Sequence, residues 1–192
     1  MSRIAVIDTE TTWSDQVMSI GAVVADSRDY RLVDSRYYLI DPAYRRGGLF
    51  SNALHSRGTP GEIILSRQKT AADLREWLSF HGVDAIFAYN ALFDQKHMPE
   101  FMDFQWFDIM KVAAYRQFNS SIPETMPCCK TGRLKSNYGV ESVYRMLSGN
   151  QGYFEKHNGW HDAVDELKIM EMLALPIDTY EVARLAACKT VK

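Results

Sequence analysis

Arg3-Ile4-Ala5-Val6-Ile7-Asp8-Thr9-Glu10-Thr11 opens a chain of 192 residues and decides how it folds. The apolar run Ile4–Ile7 has the length of a buried strand. Side chains two apart in a strand share a face, so Asp8 and Glu10 project together where this one ends. Two carboxylates at that range repel unless a cation sits between them. Oxygen donors alone suit Mg²⁺ or Mn²⁺ better than zinc or copper. A strand-end Asp beside a surface Glu is also common where nothing is bound, so the pair needs company to mean anything.

Working outward, Arg3–Asp8, Val17–Asp26 and Arg31–Ile40 read as consecutive strands, the last two joined through the turn Ser27–Tyr30. Asp41–Gly61, with its prolines and glycines, reads as an irregular excursion. Leu74, Trp77 and Leu78 share a helical face within Thr70–Phe80, which Thr70 is placed to cap. Asp84–Tyr89 is a fourth strand and Trp106–Asp108 a short fifth. Helices are expected at Asp94–Met102, Ile109–Phe118, Val140–Leu147, Asp162–Leu173 and Thr179–Ala187, with a polar loop over Ser120–Asn137. The expectation is one α/β domain over residues 1–192. Its mixed five-stranded sheet begins as an antiparallel meander and is flanked by helices.

Composition narrows the class. The chain is 46% hydrophobic and 24% charged, enough for a core without signs of disorder. No apolar stretch is long enough to span a bilayer, and no secretory lead precedes the first strand, so no membrane partner is expected. Three cysteines, two of them adjacent (Cys128, Cys129), make a poor disulfide framework and suit a reducing, cytoplasmic location. No second ligand pair at zinc spacing accompanies them, so they read as ordinary loop thiols. The net charge of −2 argues against a generic nucleic-acid-coating protein, but not against an enzyme that grips a few nucleotides. Lys130, Arg133 and Lys135 form a small basic cluster, open to reading as a phosphate contact or as a solvated loop.

Two further sites carry carboxylates. Tyr89-Asn90-Ala91-Leu92-Phe93-Asp94 follows the apolar strand residues Ile86-Phe87-Ala88, where Asn90 suits a turn and Asp94 suits a helix start. His157-Asn158-Gly159-Trp160-His161-Asp162-Ala163 precedes an amphipathic helix. A neutral imidazole accepts a proton near neutral pH, which makes His157 a candidate base. Carboxylates that end two strands and open one helix, with a histidine just upstream, suit phosphodiester hydrolysis between two divalent ions.

In this order the residues resemble the DEDDh group of 3′–5′ exonucleases. That group belongs to the ribonuclease-H-like superfamily and includes the proofreading exonuclease of bacterial replicative polymerases and ribonuclease T. Val6–Thr11, Ala88–Asp94 and the His157…Asp162-Ala163 spacing resemble its three motifs and span most of the chain. The resemblance implies a ribonuclease-H-like sheet and a two-ion Mg²⁺ or Mn²⁺ site on Asp8, Glu10, Asp94 and Asp162, with His157 as general base. It implies that Thr9, Thr11, Thr12, Trp13 and Asn90 contact the terminal nucleotide. It also implies nucleic-acid 3′ ends, single-stranded for preference, as substrate, with nucleoside 5′-monophosphates as products. A polymerase or repair protein is the kind of partner such an enzyme has, and a homo-oligomer is left open. His161 is the alternative base, but the His157 register keeps the Asp and the following Ala. A bulky Trp160 departs from the small or aliphatic residues usual between the group's His and Asp. An internal nuclease of the same superfamily and a binding protein that has lost catalysis are the competing readings. The intact carboxylates argue against the second.

Overall fold

Alternation along β1 (Arg3–Thr11) divides the molecule into two cores. This computed structural model describes residues 3–186. Ile4 and Val6 face one apolar core, and Ala5 and Ile7 face the other. Both are fully sequestered because β1 lies inside a six-stranded sheet of order β4-β3-β2-β1-β5-β6. β2 (Val17–Asp26) pairs antiparallel with β1, and β3 (Leu32–Asp41) pairs antiparallel with β2, so the expected meander is present. β5 (Val83–Ala88) runs parallel to β1, and β6 (Gln105–Asp108) runs parallel to β5.

The sheet has one strand more than the five expected. β4 (Glu62–Ser66) pairs parallel with the end of β3. Its five residues are only half buried because it forms the edge, and they run straight into a helix, so neither length nor periodicity announces a strand. That helix, α1 (Arg67–Phe80), buries Leu74, Trp77 and Leu78 against the core that holds Ile7. Ser66 occupies its N-cap position, and Thr70, the expected cap, is buried inside it.

On the same face α2 spans Leu92–His97, shorter than the expected Asp94–Met102 because Pro99 opens a separate 3₁₀ turn, Pro99–Phe101. α3 is a single turn, Met110–Ala113, and the rest of the expected Ile109–Phe118 helix is turn and loop. On the opposite face lie α4 (Val140–Ser148) and α5 (Gly159–Leu173). α5 begins three residues before the expected Asp162 because Asn158 caps it, its side chain accepting the His161 N–H. The last segment is a 3₁₀ turn, Ile177–Ala183, where a helix was expected; Ala187 lies outside the described residues. No described helix is long and apolar enough to cross a membrane.

Candidate active site

The alternation that builds the two cores also sorts the polar end of β1. Asp8 and Glu10 follow Ile4 and Val6 in phase and face α5, whereas Thr9 follows Ala5 and Ile7 and faces α2. Thr9 meets Asp94 there: its backbone N–H and its hydroxyl both donate to Asp94 Oδ1, at 3.0 and 2.8 Å. Hydrogen bonds to a charged acceptor are worth roughly 1.5–3 kcal/mol, so this clamp fixes the Asp94 carboxylate. On the other side α5 lies directly on the β1–β2 pair. Gly21, the partner of Asp8 across the strands, has no room for a Cβ because the Gly159 carbonyl occupies its place. A Cβ on Gly159 would in turn lie 2.9 Å from Gly21 N and 3.1 Å from Asp8 O. Backbone against backbone brings Asp162, on the first turns of α5, beside Asp8 and Glu10.

The result is a cleft of about 260 Å³ lined by Asp8, Glu10, Asp94, Asp162, His157 and Glu155, among others. Donor atoms of Glu10, His157 and Asp162 lie within 4.8 Å of one another. Burial first and neighbouring carboxylates second push the carboxyls up: Glu10 to about 8 and Asp162 to about 8, both with Glu155 as the main neighbour, and Asp94 to about 7, with Asp108. Asp8 is likewise raised, by burial first and then by Asp94, Glu166, Asp162 and Glu10. Asp8 Oδ2 and Asp162 Oδ1 are buried without a hydrogen-bond partner among the described residues. Buried carboxylate oxygens lacking a donor are costly, and a bound cation is the kind of partner that would offset that cost. The donor set therefore fits an oxygen-preferring metal.

His157 sits at φ 52°, an uncommon conformation for a residue with a Cβ. Its ring stacks on Phe50, with centroids 3.9 Å apart and planes 13° from parallel. The next residue, Asn158, is fully buried and donates from Nδ2 to Tyr37 Oη and to the carbonyls of Ala53 and Leu54, at 3.0, 2.8 and 3.2 Å. The irregular excursion after β3 thus forms a wall that holds His157 over the carboxylates. Burial lowers the His157 pKa, which keeps the imidazole neutral and able to take a proton. His161 points elsewhere: its ring meets Lys156 Nζ and the Arg57 carbonyl, outside the cleft.

Of the residues expected at the nucleotide, Thr11 and Asn90 line the cleft, Asn90 at φ 62°. Thr9 lines it too, but its hydroxyl is engaged by Asp94. Thr12 is buried, its hydroxyl bonded to Ser14 and to the Gln16 N–H in the β1–β2 turn, and does not line the cleft. Trp13 is 74% exposed on that turn and also lies off the cleft lining. Phe93, in the first turn of α2, is 40% exposed at the cleft rim.

Sequence reasoning missed three carboxylates. Glu166 is buried on α5 and accepts the Tyr89 N–H at 3.0 Å. It lies four residues after Asp162, hence on the same helical face, a signal that was available. Asp108, at the end of β6, accepts the N–H of Asn90 at 3.0 Å, so two buried acids hold the corner that leads to Asp94. Glu155 raises both Glu10 and Asp162 and is itself pushed up to about 7 by burial and by Glu141 and Asp165. Trp160 packs against two apolar clusters and is a structural filler, not a wall of the cleft.

No protein-family model matches the chain, and no curated protein sequence does. Solved structures do. The nuclease domain of 3′hExo, a DEDDh family member solved bound to rAMP, superposes with a TM-score of 0.65 at 13% identity over 97% of both chains. Exonuclease X in complex with 5′ overhanging duplex DNA gives 0.53 at 20% identity, over 92% of this chain and 96% of that one. E. coli exonuclease I in complex with a dT13 oligonucleotide gives 0.60 at 13%, over 93% of this chain but 42% of that one. At such identities the likeness is one of fold: the chain has the ribonuclease-H-like fold of the DEDDh exonucleases.

Proposed function

We propose that the protein is a divalent-metal-dependent exonuclease that removes nucleoside 5′-monophosphates from the 3′ end of DNA or RNA. One observation carries the reading: Asp8, Glu10, Asp94, Asp162 and His157 converge on a single cleft, and two buried carboxylate oxygens there have no partner among the described residues. Asp8, Glu10 and Asp162 would hold one Mg²⁺ or Mn²⁺ ion, and Asp8 with Asp94 a second. When bound, such ions stabilise the attacking and leaving oxygens of an in-line displacement. His157 takes the proton from the attacking water, for which its ring is neutral and faces the carboxylates. Thr11, Asn90 and the exposed Phe93 at the rim are placed to receive the terminal nucleotide. The similar structures hold rAMP in one case and DNA in others, which supports a nucleic-acid substrate without choosing the sugar.

The test is digestion of 5′-labelled DNA and RNA strands, single and paired, with Mg²⁺ or Mn²⁺. Stepwise shortening from the 3′ end with mononucleotide products is expected. Cutting of a closed circular strand would overturn the end-dependent reading. Activity should fall on the acid side as His157 protonates, at a pH below the ordinary imidazole value near 6.5, because burial lowers its pKa.

A further inference from the structure

Between α3 and α4 the chain leaves the sheet and returns as a closed tongue. Leu134 N–H donates to the Ala114 carbonyl at 3.0 Å, Arg116 N–H to Gly132 O at 3.0 Å, and Cys129 N–H to Arg133 O at 2.7 Å. The Arg116 guanidinium ties the tongue from inside, donating to the carbonyls of Pro123, Glu124 and Met126. The tongue is therefore built, with its backbone satisfied internally.

Its charge is out of keeping with the rest of the molecule. From Lys111 to Tyr138 the sequence has five cationic side chains and one carboxylate, Glu124, in a chain of net charge −2. Arg28, Arg36, Arg67, Arg75, Arg145 and Arg184 each form an ion pair with a carboxylate. Lys130, Arg133 and Lys135 form none among the described residues; Arg31, Arg46, Arg57 and Lys69 form none either, so what sets the tongue apart is that its cations stand together with a single carboxylate. Arg133 instead lies over the ring of Tyr138, 4.9 Å from its centroid, and that ring is 38% exposed. The stack holds the guanidinium by its face and leaves its N–H edges free. The Tyr138 carbonyl accepts the hydroxyl of Tyr89, a residue that lines the catalytic cleft. The cationic surface thus starts one side chain away from the cleft.

Like charges gathered without partners repel one another, and they suit an anion that arrives from outside. We infer that this tongue is a second contact surface for the substrate, on which Lys130, Arg133 and Lys135 hold backbone phosphates of a single strand on the 5′ side of the scissile bond, with the Tyr138 ring available to a base. The identity of the strand as substrate rests on the exonuclease reading above. The surface accounts for how an acidic chain retains a polyanion: five cations and one carboxylate lie in the tongue, whose Tyr138 touches a residue of the cleft.

The experiment uses the full chain and two variants, R133E/K135E and the milder K130Q/R133Q/K135Q, each checked for an unchanged melting temperature. Binding of a fluorescent dT strand of about twelve nucleotides is followed by anisotropy in EDTA, where nothing is cut. Affinity is expected to fall about tenfold or more, and the slope of log affinity against log salt to flatten by about 1.4 in the double variant and about 2 in the triple one, near 0.7 for each lost phosphate contact. Turnover of a dT dinucleotide with Mn²⁺, which is too short to reach the tongue, should stay within about twofold of the parent. Unchanged affinity and slope in both variants would overturn the proposal. So would an equal loss of dinucleotide turnover, because it would place these residues in the catalytic cleft. A parent chain that binds the long strand through the tongue yet never shortens it would sink the nuclease reading and leave the tongue standing.

Discussion

The floor and the wall of the cleft are held by different means. The floor consists of Asp8, Glu10, Asp94 and Asp162, fixed by strand register, by the Thr9 clamp and by the contact of Gly21 with Gly159. Its charges oppose one another, and four carboxyls titrate far above their ordinary values. The wall consists of His157, Asn158 and the excursion through Phe50 and Leu54, held by one aromatic stack and one buried amide whose hydrogen bonds are satisfied. The floor stores repulsion that a cation relieves, whereas the wall is at rest without one. The proposed chemistry falls where the fold is least comfortable, as expected of sites with strongly shifted pKa values.

The floor should be the more sensitive to substitution. Asp162→Asn, which keeps the shape and removes a charge, should lower turnover by more than the roughly 100-fold typical of losing an outer partner of a metal ligand. A steady-state assay with Mn²⁺ measures this, and near-parental turnover would remove Asp162 from the floor. On the wall, His157→Ala should cost roughly 10²–10⁴ in kcat, the range for a general base. His161→Ala, pointing away from the cleft, should leave kcat nearly intact, and the reverse pattern would exchange the two histidines. Gly21→Ala forces a methyl into the Gly159 carbonyl. Overpacking of this kind costs about 1–3 kcal/mol, to be read as a lowered urea midpoint together with weakened metal binding.

The smallest effect concerns pH and metal. Carboxyls raised to about 7 or 8 hold protons in the folded chain that the unfolded chain releases near pH 4. Their stabilising protonation is complete below that value and is lost as pH rises through 7 to 8. EDTA-treated protein should therefore lose stability as pH rises from about 5 to 8, and Mg²⁺ or Mn²⁺ should restore it most at the upper end. Asp26, drawn down to about 2 by hydrogen bonds from Arg28, acts in the opposite sense but only at more acid pH. A flat metal-free profile would show that the floor is not strained.

The same division explains what could be read from the sequence. Much of the floor is legible because local pattern places it: a two-residue alternation sets Asp8 with Glu10, and Asp94 and Asp162 stand where an apolar strand gives way to a helix and where a helix begins; Glu166, one helical turn after Asp162, carried the same kind of signal and was missed. The meander and the flanking helices follow from the same periodicities. β4 escapes because an edge strand of five half-exposed residues has little pattern to show. Phe50 escapes because its partner, His157, lies more than a hundred residues further on, and nothing local in the Asp41–Gly61 excursion signals an aromatic stack. Nothing local pairs Gly159 with Gly21, because contact between backbones leaves no side-chain signature.

That contact also bears on which ions the cleft accepts. A gap spanned by side chains adjusts through rotamers, but one set by two peptide planes in touch is nearly incompressible and does not readily widen. The distance between the Asp8 and Asp162 carboxylates is thereby tied to main-chain geometry. Mg²⁺ takes oxygens at about 2.0–2.1 Å and demands near-octahedral order, whereas Ca²⁺ takes them at about 2.3–2.6 Å in looser shells. On the metal-site reading proposed above, two missing side chains beside the Asp8 backbone would act as a gauge of ionic radius that favours the smaller cation.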